Sequence, residues 1–264
     1  MISIKDLNFS YGDQPILKDI DLTLEKGLFY SILGPNGSGK TTLLKNVQKI
    51  LKPSRKCIYL NGEDVRLIST KEMSKKLATV PQEAHMEFDF TVLDMVLMGR
   101  SPYLKRFETE SDHDLSLAKN AMEITDTWKF RDKSVKNLSG GELQRVIVSR
   151  AMVQDTEILL LDEPVSHLDI HHQISILNTV AGFCRSKGIT VLAVLHDINL
   201  ASEFSDSLIL MHQGKIMEVG SPDQVITELS VKTLYDLECL VIKNPLSGKP
   251  HVIPTVIKRK RRES

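Results

Sequence analysis

GPNGSGKT, residues 34 to 41, leaves a chain few folds to adopt. The octapeptide satisfies G-x-x-x-x-G-K-[ST], follows the continuous apolar run GLFYSILG, and leads into a segment where Leu43, Leu44, Val47, Ile50 and Leu51 mark one face of a helix. Strand, glycine loop and helix in that order gather backbone N–H groups and a helix N-terminus around one point, where an anion is favoured. Gly37 and Gly39 lack Cβ atoms and let those N–H groups wrap phosphates. Lys40 brings a point charge to the β- and γ-phosphates, and Thr41 offers a hydroxyl to Mg²⁺. At average composition a chance match in a chain this long has a probability on the order of 1%. The alternative, a glycine-rich turn with an exposed lysine, is set aside on that ground.

The rest of the chain supplies a matching framework. ISIKDLNFSY and DIDLTL alternate or nearly alternate apolar residues around the turn region GDQP, which predicts short strands. EILLLDEP and ITVLAVLHD are short apolar runs bounded by polar residues, as expected of strands buried on both faces of a parallel sheet. The helical pattern HHQISILNTVAGFCRSKG lies between them, so the alternation predicts an α/β core with right-handed crossovers. Residues 85 to 150 read as a helical insertion. Within it, Leu143, Val146, Ile147 and Ala151 predict an amphipathic helix with Ser139 at its N-cap. Gly140 and Gly141 would let N–H groups approach an anion there, although Ser-Gly-Gly alone is as readily a turn that caps a helix.

Several polar residues stand where buried strands end. Asp162 and Glu163 are neighbours at such an end and point to opposite faces of a strand, so one can face a metal ion while the other orients a water. A helix cap with a first-turn acid pair is the plainer alternative. His196 closes ITVLAVLHD and Gln82 follows the apolar stretch in ATVPQEA; each alone is as ordinary as a structural histidine or a turn residue. Tyr11 either stacks on a base or packs an edge strand. His167 and His171 have the i, i+4 spacing that can hold a metal if a helix has begun, but no carboxylate–histidine frame accompanies them in the sequence, and a solvated helix start is the expectation.

Composition narrows the class. Lys+Arg and Asp+Glu each number 34 in 264 residues, so no whole-protein field recruits nucleic acid, and none is expected as a partner. The seven residues KRKRRES at 258 to 264 are a local basic exception, read as a solvated tail with weak attraction to acidic lipid as the alternative. Cys57, Cys184 and Cys239 are scattered, without zinc or disulfide spacing, which fits a reducing compartment. No stretch approaches the roughly 18 apolar residues of a membrane span.

Taken together, these segments resemble the ATP-binding cassette (ABC) ATPases over nearly the whole chain and in the same order. The loop of Gly34, Pro35, Asn36, Gly37, Ser38, Gly39, Lys40, Thr41 and Thr42 looks like the family's Walker A motif, Gln82 its Q-loop, LSGGE at 138 to 142 its signature, and ILLLDE at 158 to 163 its Walker B. SHLD, Ser166 to Asp169, looks like the D-loop, His196 the switch histidine, and Tyr11 the adenine-stacking aromatic. The resemblance implies a P-loop NTPase fold with a mostly parallel sheet, an N-terminal antiparallel β subdomain and an inserted helical subdomain. In its terms, 1–84 and 151–230 form the nucleotide-binding core, 85–150 the helical signature subdomain and 231–264 a C-terminal extension.

It also implies ATP and Mg²⁺ as ligands, with Thr41, Gln82 and Asp162 at the metal and Glu163, His196 and Gln82 in catalysis. In this family the signature faces the nucleotide of a partner subunit, so Ser139, Gly140 and Gly141 would cradle a γ-phosphate held by another chain, and the working unit would be a homodimer closed by two ATP. Glu142 departs from the family's common glutamine, which leaves a sugar contact there open. FTVLDMVLMGRSPYL, the stretch from LHDINLAS to DQVI, and KPHVIP resemble ATPase subunits of importers for iron–siderophore, haem and cobalamin complexes. That subfamily implies separate permease subunits, an extracytoplasmic substrate-binding protein and a peripheral place on the cytoplasmic face of the membrane. It also implies an exposed apolar docking surface between Phe88 and Leu104. A soluble cassette ATPase of an assembly system, such as iron–sulfur cluster biogenesis, is the alternative, and a P-loop kinase is disfavoured by LSGGE.

Overall fold

The structure, a computed structural model, describes residues 1–82 and 89–255. Phe88 and the basic tail at 258–264 lie outside them. The first strands, β1 (Ile2–Tyr11) and β2 (Gln14–Leu24), form an antiparallel pair, so the GDQP turn is only two residues deep and Gln14 and Pro15 already belong to β2. After β3 (Phe29–Leu33) and the glycine loop comes α1 (Lys40–Val47), and then β4 (Ile58–Leu60) and β5 (Glu63–Asp64) complete a sheet ordered β2-β1-β4-β5.

Helix α1 stops earlier than its apolar spacing predicts. Lys49 turns left-handed at φ 60°, and its Nζ donates to the carbonyl of Ile68 at 2.6 Å, which ends the helix. Leu43, Leu44 and Val47 are buried, each side chain contributing about 1.5–3 kcal/mol, whereas Ile50 falls past the end and is 66% exposed.

The chain continues through α2 (Thr70–Lys76) directly into β6 (Leu77–Val80), then α3 (Val92–Leu97), α4 (Asp112–Ile124) and α5 (Gly140–Met152). Next come β7 (Ile158–Asp162), α6 (Ile170–Lys187), β8 (Thr190–Val194), α7 (Ile198–Phe204), β9 (Ser207–His212) and β10 (Lys215–Gly220). The central sheet runs β10-β9-β3-β8-β7-β6, parallel except for the β9–β10 hairpin, which is the expected α/β core. The short helices α8 (Pro222–Val225) and α9 (Glu228–Tyr235) lead to a hairpin of β11 (Cys239–Lys243) and β12 (Pro250–Pro254). Among the described residues no helix is long and apolar enough to cross a membrane.

Strand alternation splits the core in two. Ile32, Ile158, Leu160, Leu192 and Val194 pack with the first sheet and α1, while Leu33, Leu159, Leu161, Val191 and Ala193 pack with the helices on the opposite face. Both faces of the parallel strands are therefore buried, which is why these strands read as continuous apolar runs.

The stretch from Val92 to Leu104 folds inward more than the resemblance implies. Val92, Met95, Val96 and Leu97 are buried against α4 and α5, leaving Met98 as the exposed apolar side chain of α3 and the turn that follows. Arg100 anchors that turn: its Nε donates to Asp114 Oδ1 at 2.7 Å, Nη1 to the Val153 carbonyl at 3.0 Å, and the guanidinium lies 4.0 Å over the Tyr103 ring. The Asp114 carboxyl is held down to about 2, first by the Ser111 hydroxyl and N–H and then by Arg100, with burial opposing. Because the folded value is depressed, this stabilisation is complete above the ordinary value of 3.8 and is lost as pH falls toward 2. Arg100→Ala leaves Asp114 charged and buried at neutral pH, and is expected to cost about 3–5 kcal/mol. A lower urea midpoint at unchanged slope checks this; an unchanged midpoint contradicts it.

Candidate functional site

The loops that follow β3, β6, β7 and β8 leave the C-terminal edge of the parallel sheet together, at the place where an open α/β sheet builds its crevice. Gly37 and Gly39 in the first loop adopt φ of 80° and 101°, which a side chain would resist. Lys40, the first residue of α1, folds back so that Nζ donates to the carbonyls of Gly34 at 2.8 Å and Pro35 at 2.9 Å. Burial lowers its pKa, with the charges of Glu163 and Asp162 opposing. The buried Ser38 hydroxyl has no hydrogen-bond partner among the described residues. A cavity of about 320 Å³ is lined by Asn36, Gly37, Gly39, Lys40, Thr41 and Thr42, with Ile16 and Glu163 at its margin.

Below this loop Thr41 Oγ1 donates to Asp162 Oδ1 at 3.1 Å, and burial raises the Asp162 pKa against that bond. Glu163 departs from the simple strand picture: β7 ends at Asp162 and Glu163 is left-handed at φ 51°, its N–H reaching the Val194 carbonyl at 3.2 Å. The two carboxylates still diverge, Asp162 toward Thr41 and Glu163 toward Gln82 and His196. Gln82 Nε2 donates to Glu163 Oε2 at 2.7 Å, and His196 Nε2 lies 2.6 Å from Oε1. The Glu163 side chain is only 12% exposed. Gln82, expected both at a metal and in catalysis, thus directs its amide to the glutamate.

Tyr11 sits at the end of β1, 48% exposed, with its ring edge-on to Phe9 at 5.1 Å. Both expected uses of that ring remain sterically open. Ile16 was not singled out in the sequence, where its only signal is a short apolar Pro-Ile-Leu after a turn.

Ser139 caps α5, and Glu142 completes a capping box, its Oε2 accepting the Ser139 N–H and O–H at 2.8 Å each. Those bonds, the N–H first, lower the Glu142 pKa. Ser139, Gly140 and Gly141 line neither the loop cavity nor the second one, of about 400 Å³, where His167 and Ser166 meet Glu163 and His196. Asp169 caps α6, so the helix begins after His167 and the pair His167 and His171 does not share it. A carboxylate–histidine pair does exist: Asp169 lies 2.9 Å from Nδ1 of His172.

Another concavity lies elsewhere, between the segment after α1, α2, α5 and the turn after α3. It measures about 670 Å³ and is lined by Ile50, Met73, Leu77, Pro81, Met98 and Gln154 among others.

A family model described as ABC transporter matches residues 17–166. The achromobactin transport ATP-binding protein of Dickeya dadantii is 36% identical, over 96% of this chain and 94% of that protein. The ferric enterobactin transport ATP-binding protein of Escherichia coli is 35% identical, over 95% and 92% respectively. An ABC transporter solved in an inward-facing conformation superposes with a TM-score of 0.84 at 26% identity, covering 97% of both chains. A bacterial ABC transporter cassette solved as a dimer gives 0.72 at 27% identity, over 84% of this chain and 98% of the other.

Proposed function

Because the chain belongs to the ABC transporter family and is an ATPase of that family, we propose that it is the motor subunit of an importer, working as a homodimer closed by two ATP and coupled to separate membrane subunits. The observation that carries the catalytic half of this reading is the meeting of Gln82 and His196 on Glu163, beside the Thr41–Asp162 pair and the Lys40 loop. The geometry supports hydrolysis of a phosphoanhydride. Lys40 and the loop N–H groups from Gly34 to Thr42 hold the β- and γ-phosphates, and Tyr11 stacks on the base. Glu163 orients a water and takes its proton as the oxygen attacks the γ-phosphorus and the bond to the β-phosphate oxygen breaks, releasing ADP and phosphate. Gln82 and His196 hold the Glu163 carboxylate at both oxygens.

Thr41 and Asp162 fit Mg²⁺, because a hydroxyl and a carboxylate 3.1 Å apart at the floor of the loop are two hard oxygen donors. Held there by Thr41 and Asp162, the ion would supply positive charge against the phosphates. The dimer reading draws on the signature residues: they line neither the loop cavity nor the one beside Glu163 and His196, and each motif occurs once in the sequence, so the cradle is left to serve a second copy. Similarity to a cassette solved as a dimer supports the same assignment.

The cargo reading rests on relatives named for achromobactin and ferric enterobactin, and we assign this chain to uptake of an iron complex, a siderophore or haem, or of cobalamin. A substrate-binding protein outside the membrane would deliver it, and the ATPase would sit peripherally on the cytoplasmic face. The groove around Met73 and Met98 is the surface we assign to a cytoplasmic helix of the membrane subunit, since it sets apolar Ile50, Met73, Leu77 and Met98 beside Lys49, Arg150 and Gln154. Tagged Glu163→Gln chain held with ATP should co-purify a polytopic membrane protein from detergent-solubilised native membranes. Ile50→Glu/Met98→Glu in that background should lose the partner while ATP affinity is unchanged. Recovery of soluble partners alone would contradict the importer reading.

A further inference from the structure

The two glycines that open α5 are glycine for different reasons. A Cβ on Gly140 would meet nothing within 4 Å, whereas one on Gly141 would fall 2.4 Å from Cδ2 of His172 and 2.8 Å from its Cγ and Nε2. Gly141 lies within the helix and its φ is not positive, so its backbone would accept any L residue. What excludes a side chain is the imidazole.

That ring is itself fixed. Nδ1 of His172 lies 2.9 Å from both Asp169 oxygens, and Asp169 Oδ1 also accepts the His172 backbone N–H at 2.9 Å. One carboxylate therefore caps α6 and sets the imidazole plane, with Nδ1 as donor in the tautomer that this network requires. His171 stands edge-on at 5.5 Å between ring centroids. In the next position Gln173 Nε2 donates to the Val165 carbonyl at 3.1 Å, tying the first turn of α6 to the segment that follows Glu163. A continuous set of contacts thus runs from the residues behind the glutamate, through Asp169 and His172, to the second glycine of the cradle.

We propose that His172 is a positioning residue for the Ser139–Gly141 cradle: its imidazole, held by Asp169, is the seat on which the N-terminus of α5 rests. It fixes where the Ser139 hydroxyl and the Gly140 and Gly141 N–H groups stand relative to the 163–169 segment. This rests on the reading that the cradle receives the γ-phosphate held by a second copy of the chain. A hydrogen-bonding cradle tolerates little displacement, since errors near 1 Å can cost about 10²-fold in rate. The competing account is that Gly141 lacks a side chain only so that its N–H can approach the phosphate, with His172 a bystander. The two accounts differ over what removing the ring does to a side chain at 141.

The experiment compares Gly141→Ala, His172→Ala and the double variant, each built in the full-length Glu163→Gln chain. The ATP concentration for half-maximal dimerisation is read by light scattering, and monomer affinity by a fluorescent ATP analogue below the dimerising concentration. Gly141→Ala should raise the half-closing ATP concentration by about tenfold or more, and His172→Ala should raise it by a smaller factor. The double variant should return to within about threefold of His172→Ala alone, because the added methyl then fills the space left by the ring. Monomer affinity should stay constant throughout, which also reports that each variant is folded. In chains with Glu163 intact, the same variants should raise the KM for ATP in the same order as the half-closing concentration, while monomer affinity for the ATP analogue stays constant.

A double variant no better than Gly141→Ala would overturn the inference, as would His172→Ala closing with the parent's ATP dependence. If the Glu163→Gln parent itself does not dimerise with ATP, the trans-cradle reading fails and the inference with it. A parent that dimerises beside a double variant that does not recover defeats the inference alone.

Discussion

Glu163→Gln leaves ATP bound and slows its hydrolysis by about 10²- to 10⁴-fold, a barrier increase of about 3–5 kcal/mol. The carboxylate is gripped at both oxygens, by Gln82 at 2.7 Å and His196 at 2.6 Å, and an amide of the same shape occupies that space without accepting the water's proton. The Lys40 loop and the Thr41–Asp162 pair, which we assign to the phosphates and the metal ion, are left in place. Single-turnover release of phosphate, measured beside equilibrium binding of ATP, separates the two effects. A variant that turns over at the parent's rate would remove Glu163 from the chemistry.

Lys40→Ala fails earlier in the cycle, at binding. Nζ sits in the mouth of the loop on the carbonyls of Gly34 and Pro35, and burial already lowers its pKa, so its charge is poorly solvated and available to an anion. Asp162 and Glu163 face the same space; without the ammonium they repel a polyphosphate that the loop N–H groups alone must hold. Charge-assisted hydrogen bonds contribute about 1.5–3 kcal/mol each, so the loss in ATP affinity is expected to be about 10²-fold or more, read by calorimetric titration with ATP and Mg²⁺ at neutral pH. Lys40→Arg is not expected to rescue it, because a planar fork cannot enter a loop shaped for a point charge. Unchanged affinity would mean that Lys40 points elsewhere when nucleotide is bound.

Lys40, Thr41, Asp162 and Glu163 were readable in the sequence from local rules, whereas Gln82 and His196 took their roles only from the family resemblance. A glycine loop between strand and helix is contiguous, and polar residues that end buried strands must gather at one edge of a parallel sheet. Distances along the chain then matter little: Gln82 and Glu163 are 81 residues apart yet share a hydrogen bond. What was hidden depends on contacts that no local pattern encodes. The apolar spacing that runs to Ile50 and Leu51 could not show that Lys49 would turn left-handed and end α1. The apolar residues of α3 looked like an exposed surface, but a six-residue helix wedged between α4 and α5 buries most of them. Gly141 read only as room for an anion, and nothing local could show that a Cβ there would meet a histidine 31 positions later; the Asp169–His172 pair could be seen only once the helix start was known. Ile16 carried no usable signal, since one apolar residue at a strand start is common to any β hairpin.

Helix α2 passes into β6 without an intervening loop, and that junction shortens the path from the outside of the molecule to its chemistry. Met73, Leu77 and Pro81 line the outer groove, and the very next residue, Gln82, holds the glutamate. β6 ends at Val80, so Pro81 in the groove wall and Gln82 on the glutamate are adjacent residues just past one short strand. Anything that seats against Pro81 therefore sits one residue away from the side chain that holds Glu163.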